Sequence, residues 1–251
     1  MKPHLTRYWL HARMDDPVEF VEHVEEVCDL YAQAAELEQE GVHLVSTDEM
    51  TGIQALERAA RTLPMQSGQV ERVEFEYIRH GTLSLIANFA VATGRIIAPS
   101  LGPTRTEADF VAHVRQTIAF DPHAEWVFIV DQLNTHQSEG LVWLVAELDD
   151  VAGMEELGEK GKVGILASMA SRAAFLTDPT HRIRFVYTPK HCSWLNQIEI
   201  WFSILVKRLL KRASFASVDE LHTRILEFIE YFNRTMAKAF KWTYTGRLLV
   251  A

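Results

Sequence analysis

The chain has 251 residues, of which 48% are hydrophobic and 24% are charged, and its formal net charge is −9 at pH 7. That composition is typical of a globular protein with a sizeable core. The sequence contains no uninterrupted apolar run of about 18 residues, so it does not predict a membrane span. The N-terminal residues MKPHLTRYWLHARMDD lack the apolar stretch of a secretory signal, and Cys28 and Cys192 are too few for a disulfide framework or a zinc cluster. We therefore expect a cytoplasmic protein with reduced thiols.

The charge is unevenly distributed along the chain. Residues 160–251 contain 15 lysines and arginines against 6 acidic residues, whereas residues 1–159 contain 10 against 28. A polyanion such as DNA could therefore contact the C-terminal part without meeting the acidic part. Attraction between the two parts within one fold explains the same distribution, and charge alone does not separate the two interpretations.

The first predicted elements are an acidic helix and a buried strand. Asp16 can cap a helix over residues 16–40. Apolar residues recur there at helical spacing and predict a buried stripe: Val21, Val24, Cys28, Tyr31 and Ala35. The β-branched segment His43–Thr47 predicts a strand that ends at Asp48. Residues 49–70 are expected to be irregular, with a short helix in GIQALERAA.

Strands and helices then alternate along the chain. Four further segments are predicted as strands: Thr82–Ala92, Arg95–Ser100, Trp126–Val130 and Arg182–Tyr187. Five segments are predicted as helices: Glu107–Ile118, Ser138–Asp149, residues 164–175, Leu195–Arg212 and a last helix that opens at Ser217. This order predicts an α/β fold, a mixed five-stranded sheet flanked by helices. Binding sites in such sheets lie at the C-terminal ends of strands.

Two acidic residues stand at such predicted strand ends. Asp48 follows HLVST, and Asp131 follows WVFIV. Each carboxylate is poorly hydrated beside a buried strand and needs a partner, although either one alone could serve as a turn or N-cap residue. If the two lie on neighbouring strands, their like charges require a cation between them.

A third carboxylate, Glu199, lies early in the helix that begins at Leu195. It borders the apolar stripe of that helix, and it could equally be an exposed residue that interacts with the helix dipole. Three carboxylates suit Mg²⁺, and two such ions can activate a water or a 3′-hydroxyl against a phosphodiester. The sequence has no zinc-type Cys/His spacing, no GxxxxGK[ST] loop and no GxSxG elbow, so those chemistries are not indicated.

Four segments around these carboxylates carry a family resemblance. They are Thr47–Met50 with Gln54–Arg58, Tyr77–Thr82, Val130–His136 and Tyr187–Glu199. Taken in this order, they resemble the transposases of the mariner superfamily, specifically the bacterial insertion-sequence family "IS six-thirty". The resemblance extends from about Lys2 to Gly246 and covers nearly the whole chain.

The resemblance implies an RNase H-like fold and a DDE triad that binds Mg²⁺ or Mn²⁺, with two ions expected. The triad carries over to Asp48, Asp131 and Glu199. The resemblance further implies DNA cleavage and strand transfer, with double-stranded DNA, both transposon ends and target, as the partner. A homodimer on DNA, a location at the bacterial nucleoid and no membrane partner are also expected.

Two features depart from the pattern of the family. Asp131 and Glu199 are separated by 67 residues, a longer gap than is usual, and we attribute the excess to a helical insertion at about residues 150–180. The DNA-binding helix-turn-helix region that precedes the core in the family is missing, so we expect a truncated catalytic module. Its expected organisation is an acidic helical segment over residues 1–42 that leads into a catalytic domain over residues 43–251.

Further candidate residues surround the triad. Four basic residues lie on the predicted helix that contains Glu199, and they could form a phosphate-binding strip or simply a solvated face: Lys207, Arg208, Lys211 and Arg212. Three polar residues are predicted to orient the metal ligands: Asn134, His136 and Asn196. His136 could also hold a phosphate or be an ordinary surface histidine. Arg79 and His80 could contact DNA or occupy an ordinary strand edge, and Trp194 and Trp201 are predicted to pack in the core.

Two alternatives stay open at this point. A chain with this fold could be an inactive DNA-binding or assembly module, although an intact triad argues against it. It could also be an RNase H-like nuclease without strand transfer, because hydrolysis and strand transfer use the same metal site and differ in the nucleophile.

Overall fold

The computed structural model describes residues 17–150, 153–190, 192–211 and 213–244. Within these ranges the strands are β1 (Val42–Arg58), β2 (Tyr77–Ala90), β3 (Arg95–Gly102), β4 (Glu125–Val130) and β5 (Ile183–Tyr187). The α-helices are α1 (Pro17–Gln39), α2 (Glu107–Ile118), α3 (Glu139–Asp149), α4 (Met154–Leu157), α5 (Met169–Leu176), α6 (Ile198–Leu205) and α7 (Val218–Thr235). No helix in the described ranges has both the length and the hydropathy needed to cross a bilayer.

The strands form one mixed sheet in the order β3-β2-β1-β4-β5. β1 pairs antiparallel with β2, and β2 with β3, whereas β4 runs parallel to both β1 and β5. The parallel β1–β4 ladder extends from Val42, paired with Glu125, to Ser46, paired with Ile129. This is the RNase H-like α/β arrangement that the sequence predicts, and the prediction is confirmed.

Each face of the sheet carries its own apolar core. Successive residues of a strand point to opposite faces. Leu44 accordingly packs in the core that α1, α6 and α7 cover, while Val45 packs in the core that α2 and α3 cover. Trp201 on the first face and Phe128 on the second are fully buried. Burying a side chain of this kind contributes about 1.5–3 kcal/mol, so the central strands are held from both sides.

The acidic helix α1 packs most of its predicted stripe on the first of these faces. Cys28 and Tyr31 are buried, as predicted. Ala35 is exposed, however, and Ala34 is buried in its place, because the helical face that contains Tyr31 continues three residues later rather than four. The predicted cap, Asp16, lies outside the described residues.

The prediction that the first strand ends at Asp48 is wrong. β1 continues to Arg58, which pairs with Tyr77 of β2. Residues 49–58 of the stretch predicted as irregular therefore lie in the sheet, with most of the predicted helix, whereas residues 59–70 are irregular as predicted. The ladder with β2 satisfies the backbone hydrogen bonds of residues 49–58 and outweighs the local helix propensity of GIQALERAA. An irregularity in the ladder occurs at Gly52, where φ is +65°, a conformation that glycine adopts readily.

The helix predicted over Leu195–Arg212 is divided into parts. A short 3₁₀ turn at Ser193–Leu195 precedes α6, and a π-helical turn over Val206–Leu210 follows it. In the π-turn the Lys211 amide donates to the Val206 carbonyl at 2.9 Å. One extra residue is thereby accommodated, so the side chains beyond it are rotated relative to those of a continuous α-helix.

The two tryptophans predicted to lie in the core differ in their burial. Trp201 on α6 is fully buried, as predicted. Trp194 is 51% exposed, and the prediction for it is wrong. It belongs to the 3₁₀ turn rather than to the helix, and its ring lies 5.1 Å from that of Tyr244.

Candidate active site

Asp48 lies on the central strand, two residues beyond the last pair between β1 and β4. It is 8% exposed. Its Oδ1 accepts from the Glu49 amide at 2.7 Å, and its Oδ2 accepts from Asn196 Nδ2 at 3.3 Å. Neither donor carries a charge, and an ionised carboxylate in so dry a position is unfavourable without a cation.

Asn196 joins the start of α6 to β1 beside this carboxylate. Its amide is fully buried, and Nδ2 also donates to the Thr47 carbonyl at 2.9 Å. Its Oδ1 accepts from the Ser46 hydroxyl, whose oxygen in turn accepts from the Ile198 amide at 2.9 Å. These contacts fix the start of α6 relative to Asp48.

Asp131 directly follows β4, the strand next to β1. Its Oδ1 accepts from the Leu133 amide at 3.0 Å and lies 2.8 Å from His136 Nδ1. Burial by itself raises the pKa of Asp131, but the hydrogen bond and positive charge of His136 outweigh burial and leave the pKa below its usual range. Asp131 is therefore ionised at neutral pH.

His136 connects Asp131 to Glu49, a residue that sequence reasoning missed. The His136 side chain has no exposed surface, and its Nε2 lies 3.1 Å from Glu49 Oε1. Burial alone would lower the pKa of His136, but the hydrogen bonds and charges of the two carboxylates raise it to about 10. The imidazole is therefore a buried cation and not a surface histidine, and it has no open side for a phosphate.

Glu199 lies in the first turn of α6 and is exposed. Partial burial and the negative charge of Asp131 raise its pKa. The pKa of Asp48 rises from 3.8 to about 7, mainly because of burial. The charges of Asp131, Glu49 and Glu199 add to that rise, and the Glu49 amide opposes it. The three predicted carboxylates thus share one electrostatic environment in which they repel one another.

The chemistry of these carboxylates fits a hard divalent cation. They supply oxygen donors, and burial together with mutual repulsion raises the pKa of Asp48 and of Glu199. Among the described residues, no lysine, arginine or histidine forms an ion pair with either of the two. In the same ranges, no group of three acidic, histidine or cysteine side chains is already arranged to hold a metal ion.

Two open cavities flank the carboxylates. The Glu199 groove, of about 430 Å³, lies beside β1 and α6, and Glu199, Lys207 and Lys211 are among its lining residues. The Asp131 groove, of about 300 Å³, is lined in part by Asp131 and Lys190. Each groove therefore places at least one lysine in the same cavity as a predicted ligand, an arrangement suited to a phosphate near a metal ion.

Comparison with known proteins decides the family. A family model described as DDE superfamily endonuclease matches residues 43–222, which include all three carboxylates. The chain belongs to the DDE superfamily endonucleases. Among curated proteins, no sequence matches it.

Solved structures of the Mos1 transposase resemble this DDE superfamily endonuclease in fold. The paired-end complex with the left transposon end gives a TM-score of 0.51 at 11% identity, covering 90% of this chain and 59% of that one. The strand transfer complex gives 0.52 at 11%, covering 90% and 58%. The mariner paired-end complex with Mn gives 0.51 at 12%, covering 92% and 62%. The likeness shows the fold, and the chain spans about three-fifths of these transposase chains.

Two of the residues predicted to contact DNA lie far from the carboxylates of this endonuclease. Arg79 and His80 are exposed near the start of β2. Asp48 pairs with Ala87, so Arg79 lies roughly 25 Å along the strand from that point. His80 Nε2 lies 2.7 Å from Glu57 Oε2, a local contact within the β1–β2 hairpin. The structure does not bring this pair to the site.

Three other candidates differ in their position. Arg208 is exposed but is not a lining residue of either groove, unlike Lys207 and Lys211, which share a side of the π-turn. Arg212 lies outside the described residues. Asn134 is exposed at the start of the 3₁₀ turn that follows Asp131, and no hydrogen bond among the described residues joins its side chain to a carboxylate.

Proposed function

We propose that this DDE superfamily endonuclease is the catalytic domain of a transposase of the bacterial insertion-sequence family "IS six-thirty", in the mariner superfamily. It cleaves DNA at the ends of an insertion sequence and joins those ends to target DNA. The observation that carries the proposal is the placement of three carboxylates: Asp48 and Asp131 lie just beyond the last β1–β4 pair, and Glu199 on α6 is near enough for its charge to interact with both. Its fold likeness to Mos1 transposase complexes, one with a transposon end and one a strand transfer complex, supports it.

In this proposal the three carboxylates bind Mg²⁺ or Mn²⁺, two ions in all. One of the Mos1 structures similar in fold is a complex with Mn. When bound, such ions supply an activated water or 3′-hydroxyl and stabilise the leaving oxygen of the phosphodiester. The chain itself holds Asp48 on β1 and Asp131 directly after β4, the neighbouring strand. Glu199 is exposed on α6, and its charge interacts with those of both aspartates.

The two grooves indicate a path for the DNA backbone. Lys207 and Lys211 line the Glu199 groove, and Lys190 lines the Asp131 groove. Ammonium groups bind phosphates without reading bases, so these contacts would position a duplex with little sequence preference. The proposed partners are double-stranded transposon ends and target DNA, bound by a homodimer at the bacterial nucleoid.

The catalytic role is assigned to residues 43–251, with residues 1–42 leading into that domain and a helical insertion at about residues 150–180. α4 and α5 lie in the segment of that insertion. Lys207 and Lys211 stand four residues apart, a spacing that keeps both on one side of the helix, and both line the Glu199 groove.

The purified chain is expected to nick a labelled duplex that carries the insertion-sequence ends when Mg²⁺ or Mn²⁺ is present, and not in EDTA. The physical reason is that the carboxylates act on the phosphodiester only through a bound ion. A pre-cleaved end with a free 3′-hydroxyl is expected to be joined to plasmid DNA under the same conditions. Denaturing gels measure the nicked product, and agarose gels measure the joined product.

The outcomes of this experiment separate the alternatives. Metal-dependent nicking without joining would make the chain an RNase H-like nuclease that lacks strand transfer. Binding of the duplex without nicking, in either metal, would make it an inactive DNA-binding or assembly module.

Replacing Lys207 and Lys211 together with alanine is expected to weaken binding of end-sequence and scrambled duplexes by a similar factor, roughly 10-fold. Two phosphate contacts would be lost, so the slope of log affinity against log salt should become shallower by about 2. Fluorescence anisotropy across a salt series measures both quantities.

Arg95→Ala with Arg115→Ala is the matched control, because it also removes two exposed cations. Arg95 opens β3, and Arg115 lines a cavity with residues that precede β4 and β5, at the end of the sheet away from Asp131. The control should leave the salt slope unchanged. A strong preference of the unmodified chain for the end sequence would contradict binding through phosphates alone.

A further inference from the structure

Glu49, His136 and Asp131 form a continuous buried bridge beside the carboxylate cluster. His136 Nδ1 lies 2.8 Å from Asp131 Oδ1 and 3.0 Å from the Asp131 carbonyl oxygen, while Nε2 lies 3.1 Å from Glu49 Oε1. The side chains of His136 and Glu49 are 0% and 2% exposed. Nε2 therefore hydrogen-bonds the Glu49 carboxylate, whereas Nδ1 hydrogen-bonds the Asp131 carbonyl oxygen and forms an ion pair with the Asp131 carboxylate. Charge-assisted contacts of this kind are strong and directional.

The bridge lies just beyond the point at which the backbone ladder between β1 and β4 stops. The last pair between β1 and β4 is Ser46 with Ile129. Asp48 and Asp131 both lie two residues beyond it, so no ladder hydrogen bond of the described β1–β4 pairing fixes their separation. Glu49 is the immediate neighbour of Asp48, and the bridge therefore links the two carboxylate positions where the ladder no longer does.

His136 is itself fixed by the surrounding structure. The Tyr187 hydroxyl donates to the His136 carbonyl at 2.8 Å, and Arg172 Nε donates to the carbonyl of the next residue, Gln137, at 2.7 Å. The Phe110 ring packs against the imidazole with 4.3 Å between centroids. A side chain held in this way can fix the position of its partners.

We propose that Glu49 and His136 are positioning residues, which set the orientation of the Asp131 carboxylate and its separation from Asp48 so that both can bind the same divalent cations. This inference rests on the proposed function. The Leu133 amide donates to Asp131 Oδ1, which also forms the ion pair with His136, and no hydrogen bond from a described residue reaches Oδ2. The bridge thus leaves one oxygen of Asp131 for a ligand.

Two substitutions of His136 separate the two ends of the bridge. In His136→Asn, the amide nitrogen can take the place of Nδ1 and donate to Asp131, but the shorter side chain no longer reaches Glu49. In His136→Gln, the amide nitrogen can take the place of Nε2 and donate to Glu49, but the contact with Asp131 is lost. Both variants are neutral and lack the ring, so a merely structural role would affect them alike.

The readout is Mn²⁺ binding by the full chain, measured by calorimetry or electron paramagnetic resonance. His136→Gln is expected to weaken Mn²⁺ affinity by roughly 10–100-fold, the range typical of a lost partner of a metal ligand, and His136→Asn by only about three-fold. Glu49→Gln still accepts from Nε2 and should stay close to the unmodified chain, whereas Glu49→Ala should lose about 10-fold. At fixed Mn²⁺, the loss in DNA cleavage should appear in kcat and not in KM for DNA.

Equal Mn²⁺ affinities of His136→Asn and His136→Gln would overturn the proposal. A single variant could fail to fold, because it leaves a buried carboxylate unpaired. The same comparison is then made with Glu49→Gln added to both, which removes one of those charges. An unmodified chain that binds no Mn²⁺ would overturn the proposed function itself, an outcome distinct from equal binding by the two variants.

Discussion

Asp48→Asn, Asp131→Asn and Glu199→Gln are each expected to lower the rate of metal-dependent DNA cleavage by at least about 10³-fold. Each change replaces a charged oxygen donor with a neutral amide of the same shape, so the ion loses a ligand while the fold is retained. A 10³-fold loss corresponds to about 4 kcal/mol of activation free energy. Single-turnover nicking of end-sequence DNA at saturating Mg²⁺ measures the rate.

Glu147→Gln is the control for the loss of one negative charge. Glu147 pairs with Arg115 at 2.7 Å near the C-terminal end of α3, away from the carboxylate cluster. The control should cleave at the unmodified rate. If one of the three variants kept more than about a tenth of that rate, its residue would have no place in the triad, while the roles of the other two would stand.

The sheet and the two aspartate positions could be predicted because their signals are local. HLVST and WVFIV are short, apolar and β-branched, and such runs favour buried strands. The bounds predicted for α2, Glu107–Ile118, are those of the structure, because Thr106 and Asp109 form a capping box that marks the helix start.

The features that sequence reasoning missed depend on partners far away in the chain. β1 continues to Arg58 only because β2 pairs with it, which local propensity cannot reveal. The environment of Glu49 depends on His136, which lies 87 residues later. Beside Asp48, Glu49 resembles a solvated neighbour. One available signal was the alternation of side chains along a strand. Asp48 and Glu49 point to opposite faces, and in a strand that is covered on both faces each acid needs a partner.

The π-turn illustrates a third kind of limit. Lys207, Arg208 and Lys211 read from the sequence as one basic strip on a continuous helix. The extra residue in the turn widens the angle between Arg208 and Lys211 around the helix axis. Lys207 and Lys211, four residues apart, stay on one side and line the Glu199 groove, whereas Arg208 does not. The residue types were sufficient to indicate phosphate binding, but which of these residues line the groove depended on helix geometry.

In the metal-free protein, Asp48→Asn is expected to raise the free energy of unfolding at about pH 8, even though it abolishes cleavage. The pKa of Asp48 rises from 3.8 to about 7 on folding, so the native chain binds this proton more tightly than the unfolded chain does. The stability linked to this group is therefore present below about pH 4 and is lost as pH rises towards 7. The difference in pKa corresponds to about 4 kcal/mol.

Asparagine cannot ionise, so the variant does not lose this stability as pH rises. It has only one side-chain acceptor, and the hydrogen bond that Asp48 accepts from Asn196 is lost at a cost of about 1 kcal/mol. The net stabilisation expected above pH 7 is about 2–3 kcal/mol, or roughly 5–10 °C in Tm for a domain of this size. It should disappear as pH falls to about 4.

Thermal unfolding in EDTA between about pH 4 and 8 measures the difference between Asp48→Asn and the unmodified chain. Asp131→Asn is the contrasting variant: because His136 holds the pKa of Asp131 low, removal of that carboxylate is expected to destabilise the chain. Added Mg²⁺ should raise the Tm of the unmodified chain and leave that of Asp48→Asn unchanged, since a ligand that binds only the native state stabilises it. An Asp48→Asn variant less stable than the unmodified chain at about pH 8 would mean that the native protein already compensates the charge of Asp48. The uncompensated burial and repulsion of this carboxylate, from which its metal-binding role is inferred, would then not exist.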